Sequence, residues 1–216
     1  MTISDRTVAI VGTGSIGRTL AANFAAGGQD FLLAGRHPET AAELAATLDG
    51  HAEPVSIDDA VARADVLVFA VWFDAFQQLL AEYGERLAGK VIVDPSNPVA
   101  PDGNGGFRKT IGEQETSGQI LAGLLPSGAR LVKALGTLSA GTLSAAARQK
   151  PERVVQFYAA DDDAAGDLVA ELIRTGGYEP LRVGGLDQTM RIEAFGDLSE
   201  FGLGRTVTRS EAEQVI

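Results

Sequence analysis

The sequence contains no cysteine. That excludes a disulfide framework, a thiol nucleophile, a cysteine-ligated zinc and a cysteine-ligated iron–sulfur cluster, so any redox chemistry must reside in a bound cofactor. Basic residues are also scarce, with 18 Lys and Arg against 29 Asp and Glu and a formal net charge of −11. Such a surface repels a phosphate backbone, and nucleic acid is not an expected partner. No apolar run approaches the roughly 20 residues of a membrane-spanning helix. The polar stretch Met1–Arg6 before the first apolar run lacks the pattern of a signal peptide. The expected setting is therefore the cytoplasm, with no membrane partner. No metal site is read.

What is present is an apolar fraction of 45% over 216 residues, enough for one domain, or one domain with a smaller unit appended. Short continuous apolar runs alternate with helical patterns. Val8–Val11 reads as a buried strand, 15–26 as a helix with Ile16, Leu20 and Phe24 on one face, and Phe31–Ala34 as the next strand. A helix over about 39–48 and a short strand near 53–55 follow, then a helix opened by Ser56 with Asp59 in the form of a capping box. Val66–Val71 and Lys90–Val93 are further strands. Continuous rather than alternating runs are what a parallel strand covered on both faces requires. The segment 99–116 has little pattern and much glycine, and is expected to be a loop and a candidate lid. Beyond it the pattern predicts a helix to about 125, a strand 130–134, a helix 140–148, a strand 153–159, a helix 164–175, a strand near 180–183, and a mostly helical stretch over 186–203. The expected fold class is α/β, a doubly wound and mostly parallel sheet with helices on both faces.

The chain places Gly12-Thr13-Gly14-Ser15-Ile16-Gly17 directly after the first strand and at the opening of a helix. In that context the three glycines have distinct tasks: Gly12 makes the tight turn, Gly14 lets the backbone approach a pyrophosphate, and Gly17 lets helix and strand pack closely. The free N–H groups and dipole of the helix receive the anion, and Thr13 and Ser15 offer hydroxyls to it. The motif thus predicts a Rossmann dinucleotide-binding unit. An NAD site usually carries Asp or Glu at the end of the second strand; Ala34, Gly35 and Arg36 stand there. A carboxylate would repel a 2′-phosphate, whereas Arg36 can make charge-assisted bonds to it, so NADP(H) is the expected cofactor. His37 either supplies a ring nitrogen to that phosphate, stacks near the adenine, or is a solvated loop residue.

Ligands in such sheets lie outside the carboxyl ends of the strands, so the loops after Val71 and Val93 should face the reactive end of the cofactor. Ala70, Val71 and Trp72 form the first, and Asp94-Pro95-Ser96-Asn97-Pro98 the second. Trp72 reads two ways, as a flat wall for a ring system or as part of a core; Asp74 reads as a helix cap; Ser96 and Asn97 could hydrogen-bond a carboxamide or substrate. Acid–base machinery is thin. Neither His37 nor His51 is well placed as a proton donor, and Lys109 and Lys133 are the plausible lysines near strand ends. That scarcity suits hydride transfer between two bound cofactors, where positioning of donor and acceptor carbons supplies the catalysis.

With these residues in view, the chain resembles the NADPH-dependent oxidoreductases related to coenzyme F-420 (deazaflavin):NADP oxidoreductase, and is similar to the reductase domain of the STEAP metalloreductases. The likeness rests on the opening Val8–Gly17, on Ala34-Gly35-Arg36, on the Asn97-Pro98 loop, on Val132-Lys133-Ala134, and on Val183-Gly184-Gly185-Leu186. It implies a Rossmann domain with a short C-terminal α/β extension, residues 1–135 and 136–216, and a second planar redox partner, a deazaflavin or a flavin, against the nicotinamide. Trp72, Asn97, Pro98, Lys133, Leu135, Gly136 and Leu186 would then lie nearest that acceptor. The chain departs from many relatives in carrying Leu135-Gly136-Thr137 after Lys133-Ala134, and Thr40 where they have a basic residue. Alternative readings are an NADPH-dependent reductase of a small carbonyl or imine and a non-catalytic NADP-binding regulator. A homodimer is the common assembly of such folds, and no segment of the sequence locates an interface.

Overall fold

The computed structural model describes residues 2–216. The apolar runs become the strands of one eight-stranded sheet. In chain order the elements are β1 (Val8–Val11), α1 (Ser15–Ala25), β2 (Phe31–Ala34), α2 (Pro38–Ala45), β3 (Ala52–Pro54), α3 (Ile57–Arg63), β4 (Val66–Phe69), α4 (Phe73–Tyr83) and β5 (Val91–Asp94). Then come β6 (Val99–Pro101), β7 (Phe107–Lys109), α5 (Ser117–Leu124), β8 (Arg130–Lys133), α6 (Ala140–Ala145), β9 (Val155–Ala160), α7 (Asp163–Thr175) and β10 (Glu179–Gly184). Three one-turn helices finish the chain: α8 (Thr189–Ile192), α9 (Glu200–Leu203) and α10 (Arg209–Ala212).

The strand order is β10-β9-β8-β5-β4-β1-β2-β3, parallel throughout except where β8 meets β9 antiparallel, Val132 against Ala160. Successive residues of a strand point to opposite faces, and both faces are covered. Val8 and Ile10 join one apolar cluster with Phe24, Leu143 and Tyr178, while Ala9 and Val11 join another with Phe69, Phe76 and Leu80. A third cluster holds Val155 and Phe157 of β9 with Ile192, Leu198 and Val207, which seats the C-terminal segment on the same sheet. The chain reverses direction across the sheet between β1 and β4, leaving their carboxyl ends beside each other at a crevice.

Two expectations change. The segment 99–116 is not patternless, because β6 and β7 pair as an antiparallel hairpin with Val99 opposite Lys109. Its turn is closed by Asp102, whose Oδ1 accepts from the backbone N–H of Asn104 at 2.7 Å and of Gly106 at 2.9 Å. The stretch 186–203 is not a continuous helix. A 3₁₀ turn, Leu186–Gln188, leads into α8, and the chain then folds back at Gly196, where a Cβ would stand 2.2 Å from the carbonyl oxygen of Met190. Among the described residues no helix is long and apolar enough to cross a membrane.

Candidate functional site

The loops after β1, β4, β5 and β8 line up along the carboxyl edge of the sheet. The first is the glycine turn. Gly12 has φ +123°, and a Cβ there would lie 2.2 Å from the carbonyl oxygen of Ala70, so only glycine lets the turn after β1 rest on the end of β4. A Cβ on Gly17 would meet the Gly12 carbonyl oxygen at 1.9 Å, which fixes how closely α1 sits against the turn. Gly14 differs: it is exposed, and a Cβ there would meet no atom within 4 Å. Its open side is where a bulky anion can approach the backbone. The first backbone bond of α1 runs from Arg18 N–H to the Gly14 carbonyl, leaving the N–H groups of Ser15, Ile16 and Gly17 without a partner inside the helix. Arg18 also donates from Nε to the Thr13 carbonyl at 2.9 Å, a contact that sequence reasoning missed because the motif ends one residue earlier.

At the end of β2 the Thr13 side chain lies over Gly35, where a Cβ would come within 3.1 Å of its Cγ2. Arg36 and His37 are both exposed, and His37 Nδ1 stands 3.8 Å from the Glu39 carboxylate. These features form a cradle with free N–H groups at one end and an exposed guanidinium at the other, with no carboxylate among Ala34, Gly35 and Arg36. The residues present fit a dinucleotide that carries a 2′-phosphate.

Past β4, Ala70 is buried, Val71 half-buried, and Trp72 is 61% exposed at the N-terminus of α4. Phe73 and Phe76 turn inward, and the Phe76 ring packs against that of Phe69 with centroids 4.8 Å apart and planes tilted by 48°. A cavity of about 230 Å³ opens between Trp72, Phe73 and Asp74 on one side and Val99, Ala100, Pro101 and Thr110 on the other. The hairpin therefore forms one wall of the space beside Trp72.

The Asn97 loop is held from three directions. Asn97 donates from Nδ2 to the Gly136 carbonyl at 2.9 Å and accepts at Oδ1 from the Ala194 N–H at 2.8 Å. Gly136 packs so closely that a Cβ would stand 2.6 Å from the Pro95 carbonyl oxygen. Leu135 before it has φ 65°, its side chain in the core, and so turns the chain sharply to bring Gly136 to Asn97. Beneath the loop, Lys133 is 1% exposed and gives its ammonium protons to Asp94 Oδ2 at 2.9 Å, to Ser117 Oγ at 2.8 Å, and to the Ser96 carbonyl. Asp94 also accepts at Oδ1 from Ser96 N at 2.8 Å and Ser96 Oγ at 2.6 Å. Lys133 thus supports Asn97 and Pro98 from below and does not face the open edge. Leu186 is buried, its N–H donated to Asp161 Oδ1 at 2.8 Å.

The structure therefore brings the glycine turn, Ala70–Trp72, Asn97–Pro98 and Leu135–Gly136 to one edge, with Arg36 and His37 on its far side and Lys133 and Leu186 beneath. Sequence reasoning missed Ser117 and Glu193, which meet the Lys133 cluster although Glu193 stands 60 residues further along the chain than Lys133. Nothing in local pattern signals a contact at that separation.

The chain is similar to known proteins along most of its length. Residues 7–98 match the family model described as NADP oxidoreductase coenzyme F420-dependent. The metalloreductase STEAP3 of Rattus norvegicus is 29% identical over 187 residues, 87% of this chain; the chain spans 36% of that protein's length. The F420-dependent NADP reductase of Methanothermobacter thermautotrophicus is 29% identical over 194 residues, 85% of this chain and 83% of the reductase. Among solved structures, a hypothetical protein from Sinorhizobium meliloti superposes with a TM-score of 0.82 at 27% identity, covering 97% of this chain and 96% of that one. The likeness to the family described as NADP oxidoreductase coenzyme F420-dependent thus covers residues 7–98 through its model, and the similarity to the Methanothermobacter reductase extends over 85% of the chain.

Proposed function

We propose that this protein transfers a hydride between NADP(H) and a deazaflavin or flavin-like acceptor, coenzyme F-420 or a flavin. The observation that carries the reading is the single edge of the sheet on which an open glycine cradle, an exposed arginine and an exposed tryptophan beside a cavity follow one another. When bound, NADPH supplies the hydride. Gly14 admits the pyrophosphate to the backbone, the N–H groups of Ser15, Ile16 and Gly17 face it, and Arg36 meets the 2′-phosphate. Ala70, Val71 and Trp72 wall the nicotinamide side, with His37 at the adenine side. Trp72 offers a flat apolar surface to the acceptor, and Asn97, Pro98, Leu135 and Gly136 bound it opposite, held in place by Lys133 and by the segment that starts at Leu186. These residues position the two partners and exclude water, which is the contribution a hydride transfer asks of the protein.

The division into a nucleotide-binding unit, 1–135, and an acceptor-side extension, 136–216, belongs to this reading, as does the action of the hairpin 99–109 as a wall over the acceptor. The homologous reductase from Methanothermobacter supports the acceptor class by its name. The test is titration of wild type and Arg36→Ala with NADPH and NADH, followed by addition of oxidised deazaflavin or flavin while absorbance of NADPH is monitored. Loss of about 10- to 100-fold in NADPH affinity, with NADH unaffected, is the scale of a charge-assisted bond to phosphate. Oxidation of NADPH only when deazaflavin or flavin is present supports the acceptor. NADPH binding without turnover favours a small carbonyl or imine substrate or a regulator, and equal affinity for NADPH and NADH overturns the assignment of Arg36.

A further inference from the structure

Below the Asn97 loop lies a buried cluster that draws on four parts of the chain: Asp94 at the end of β5, Ser117 at the start of α5, Lys133 at the end of β8, and Glu193 just after α8. Asp94, Ser117 and Lys133 are each at most 1% exposed and Glu193 is 5% exposed. Counting protons shows how they are joined. Asp94 takes two bonds at Oδ1 from Ser96, and at Oδ2 one from Lys133 at 2.9 Å, with Ser117 Oγ at 3.1 Å completing the four positions of an ionised carboxylate. Lys133 has no proton left, because its three go to Asp94, Ser117 and the Ser96 carbonyl.

Ser117 owns a single proton yet has oxygens of two carboxyl groups within reach, Asp94 Oδ2 at 3.1 Å and Glu193 Oε1 at 3.0 Å. If its proton goes to Asp94, its contact with Glu193 can be a hydrogen bond only when Glu193 brings a proton of its own. Ser117 then accepts from Lys133 and Glu193 and donates to Asp94, which uses both lone pairs and the one proton of its hydroxyl. With Glu193 ionised instead, it would keep the long bond from the Gly118 N–H at 3.3 Å, but two carboxylates would share one hydroxyl proton beside one ammonium, leaving a net negative charge out of water.

We propose that Glu193 is a positioning residue that acts as a neutral acid, donating to Ser117 and so pinning the C-terminal segment beneath the acceptor side of the site. The adjacent residue shows what is pinned, since Ala194 N–H holds Asn97 Oδ1 and Asn97 Nδ2 holds Gly136. Glu193 and Ala194 are thus successive anchors of one segment, one to the cluster and one to the loop. Burial pushes the Glu193 carboxyl above its usual range, opposed by the Lys133 charge and by the bonds that Ser117 and the Gly118 N–H would give an ionised carboxylate, and reinforced by the Asp94 charge. Asp94 from β5 and Lys133 from β8 are the charged groups that face it. The consequence for acceptor binding rests on the function proposed above; the state of Glu193 itself does not.

The decisive experiment uses the full chain without ligands. Thermal midpoints of wild type and Glu193→Gln are compared from about pH 5 to about pH 8, a window above the ordinary Glu value. A carboxyl that keeps its proton in the folded state loses stability relative to the amide as pH rises from 4.5 toward its folded value. The midpoint of the Gln variant should therefore gain on wild type by about 2–4 °C or more across the window. A gap that moves the other way, or stays constant, overturns the proposal, because a Glu193 already ionised in the folded state gives the Gln variant no such gain across the window. Should the Gln variant not fold, the carboxyl ¹³C shift of Glu193 in wild type decides: a midpoint above 4.5 supports the neutral acid, and one at or below overturns it. In turnover, KM for the acceptor should rise with pH in wild type and stay level in Glu193→Gln, while NADPH affinity changes in neither. Level KM in both proteins overturns the positioning role. Absence of any turnover with deazaflavin or flavin counts against the proposed function alone, since the ligand-free measurements stand without it.

Discussion

The carbonyl oxygen of Gly12 occupies the place that a Cβ of Gly17 would need, 1.9 Å away. Gly17→Ala therefore forces the turn and α1 apart, and should lower stability by about 1–3 kcal/mol as overpacking does. Gly14→Ala should behave in the opposite way. Its backbone at φ −74° and ψ −172° is ordinary for any residue and its surroundings are open, so stability should stay within about 1 kcal/mol of wild type. With the cofactor placed as proposed, the new methyl group meets the pyrophosphate, and NADPH affinity should fall by about tenfold or more. Thermal unfolding beside NADPH titration of both variants separates the two roles.

Asn97→Ala removes the link between the loops ending β5 and β8 and the segment at Ala194. Each lost bond costs about 1 kcal/mol. We expect KM for the acceptor to rise by about tenfold, with the dissociation constant of NADPH within about twofold of wild type. Equal losses on both substrates would mean that Asn97 serves the cofactor side.

Lys133→Met leaves the Asp94 carboxylate buried without its counter-ion and Ser117 without one of its donors. Breaking a buried pair from one side costs about 3–5 kcal/mol, because the remaining charge is stranded. Replacing both partners together, as in Lys133→Met with Asp94→Leu, should cost less than the single change. Urea denaturation of the two variants measures the difference.

Alkaline unfolding should follow Tyr178. Its ring is fully buried and its hydroxyl donates to the Leu143 carbonyl; burial pushes its pKa up to about 12, against small opposing effects from Asn23 and Arg148. The folded chain thus keeps a proton that the unfolded chain releases near 10.0. Stability from this group is fully present below about pH 10 and is lost as pH rises toward 12, on the order of 2–3 kcal/mol. Tyr178→Phe should lose about 1 kcal/mol at neutral pH. Its stability should then show none of that slope, which denaturant titrations at pH 8 and at about pH 11 would detect.

Local chemistry determined much of this protein. The strands β1, β2, β4 and β5 are legible because a strand covered on both faces is apolar at nearly every position, and the runs of β1, β2 and β5 end at Gly12, Gly35 and Pro95. The glycine turn, Arg36 at the end of β2 and the Asn97 loop could be placed on one edge from the order of elements alone. Half of the Ser56 capping box is there too: Ser56 Oγ accepts from Asp59 N–H at 3.0 Å, while the Asp59 carboxylate takes the Ser56 hydroxyl rather than its backbone N–H.

What local pattern could not decide is whatever depends on partners far along the chain. The hairpin 99–109 looks like a loop because its strands are three residues long, and its turn is set by the Asp102 side chain rather than by apolar periodicity. The C-terminal segment looks helical in composition, yet it breaks at Gly196, where the chain packs against its own carbonyls, and then covers β9. Lys133 reads as a ligand-facing lysine until the fold surrounds it with Asp94, Ser96 and Ser117 and leaves it no free proton. The cradle at the strand ends follows from residue types that neighbour one another in sequence. The support beneath it comes from four separate segments, and only the tertiary fold, by removing them from water together, determines which of those groups carries charge and which carries a proton.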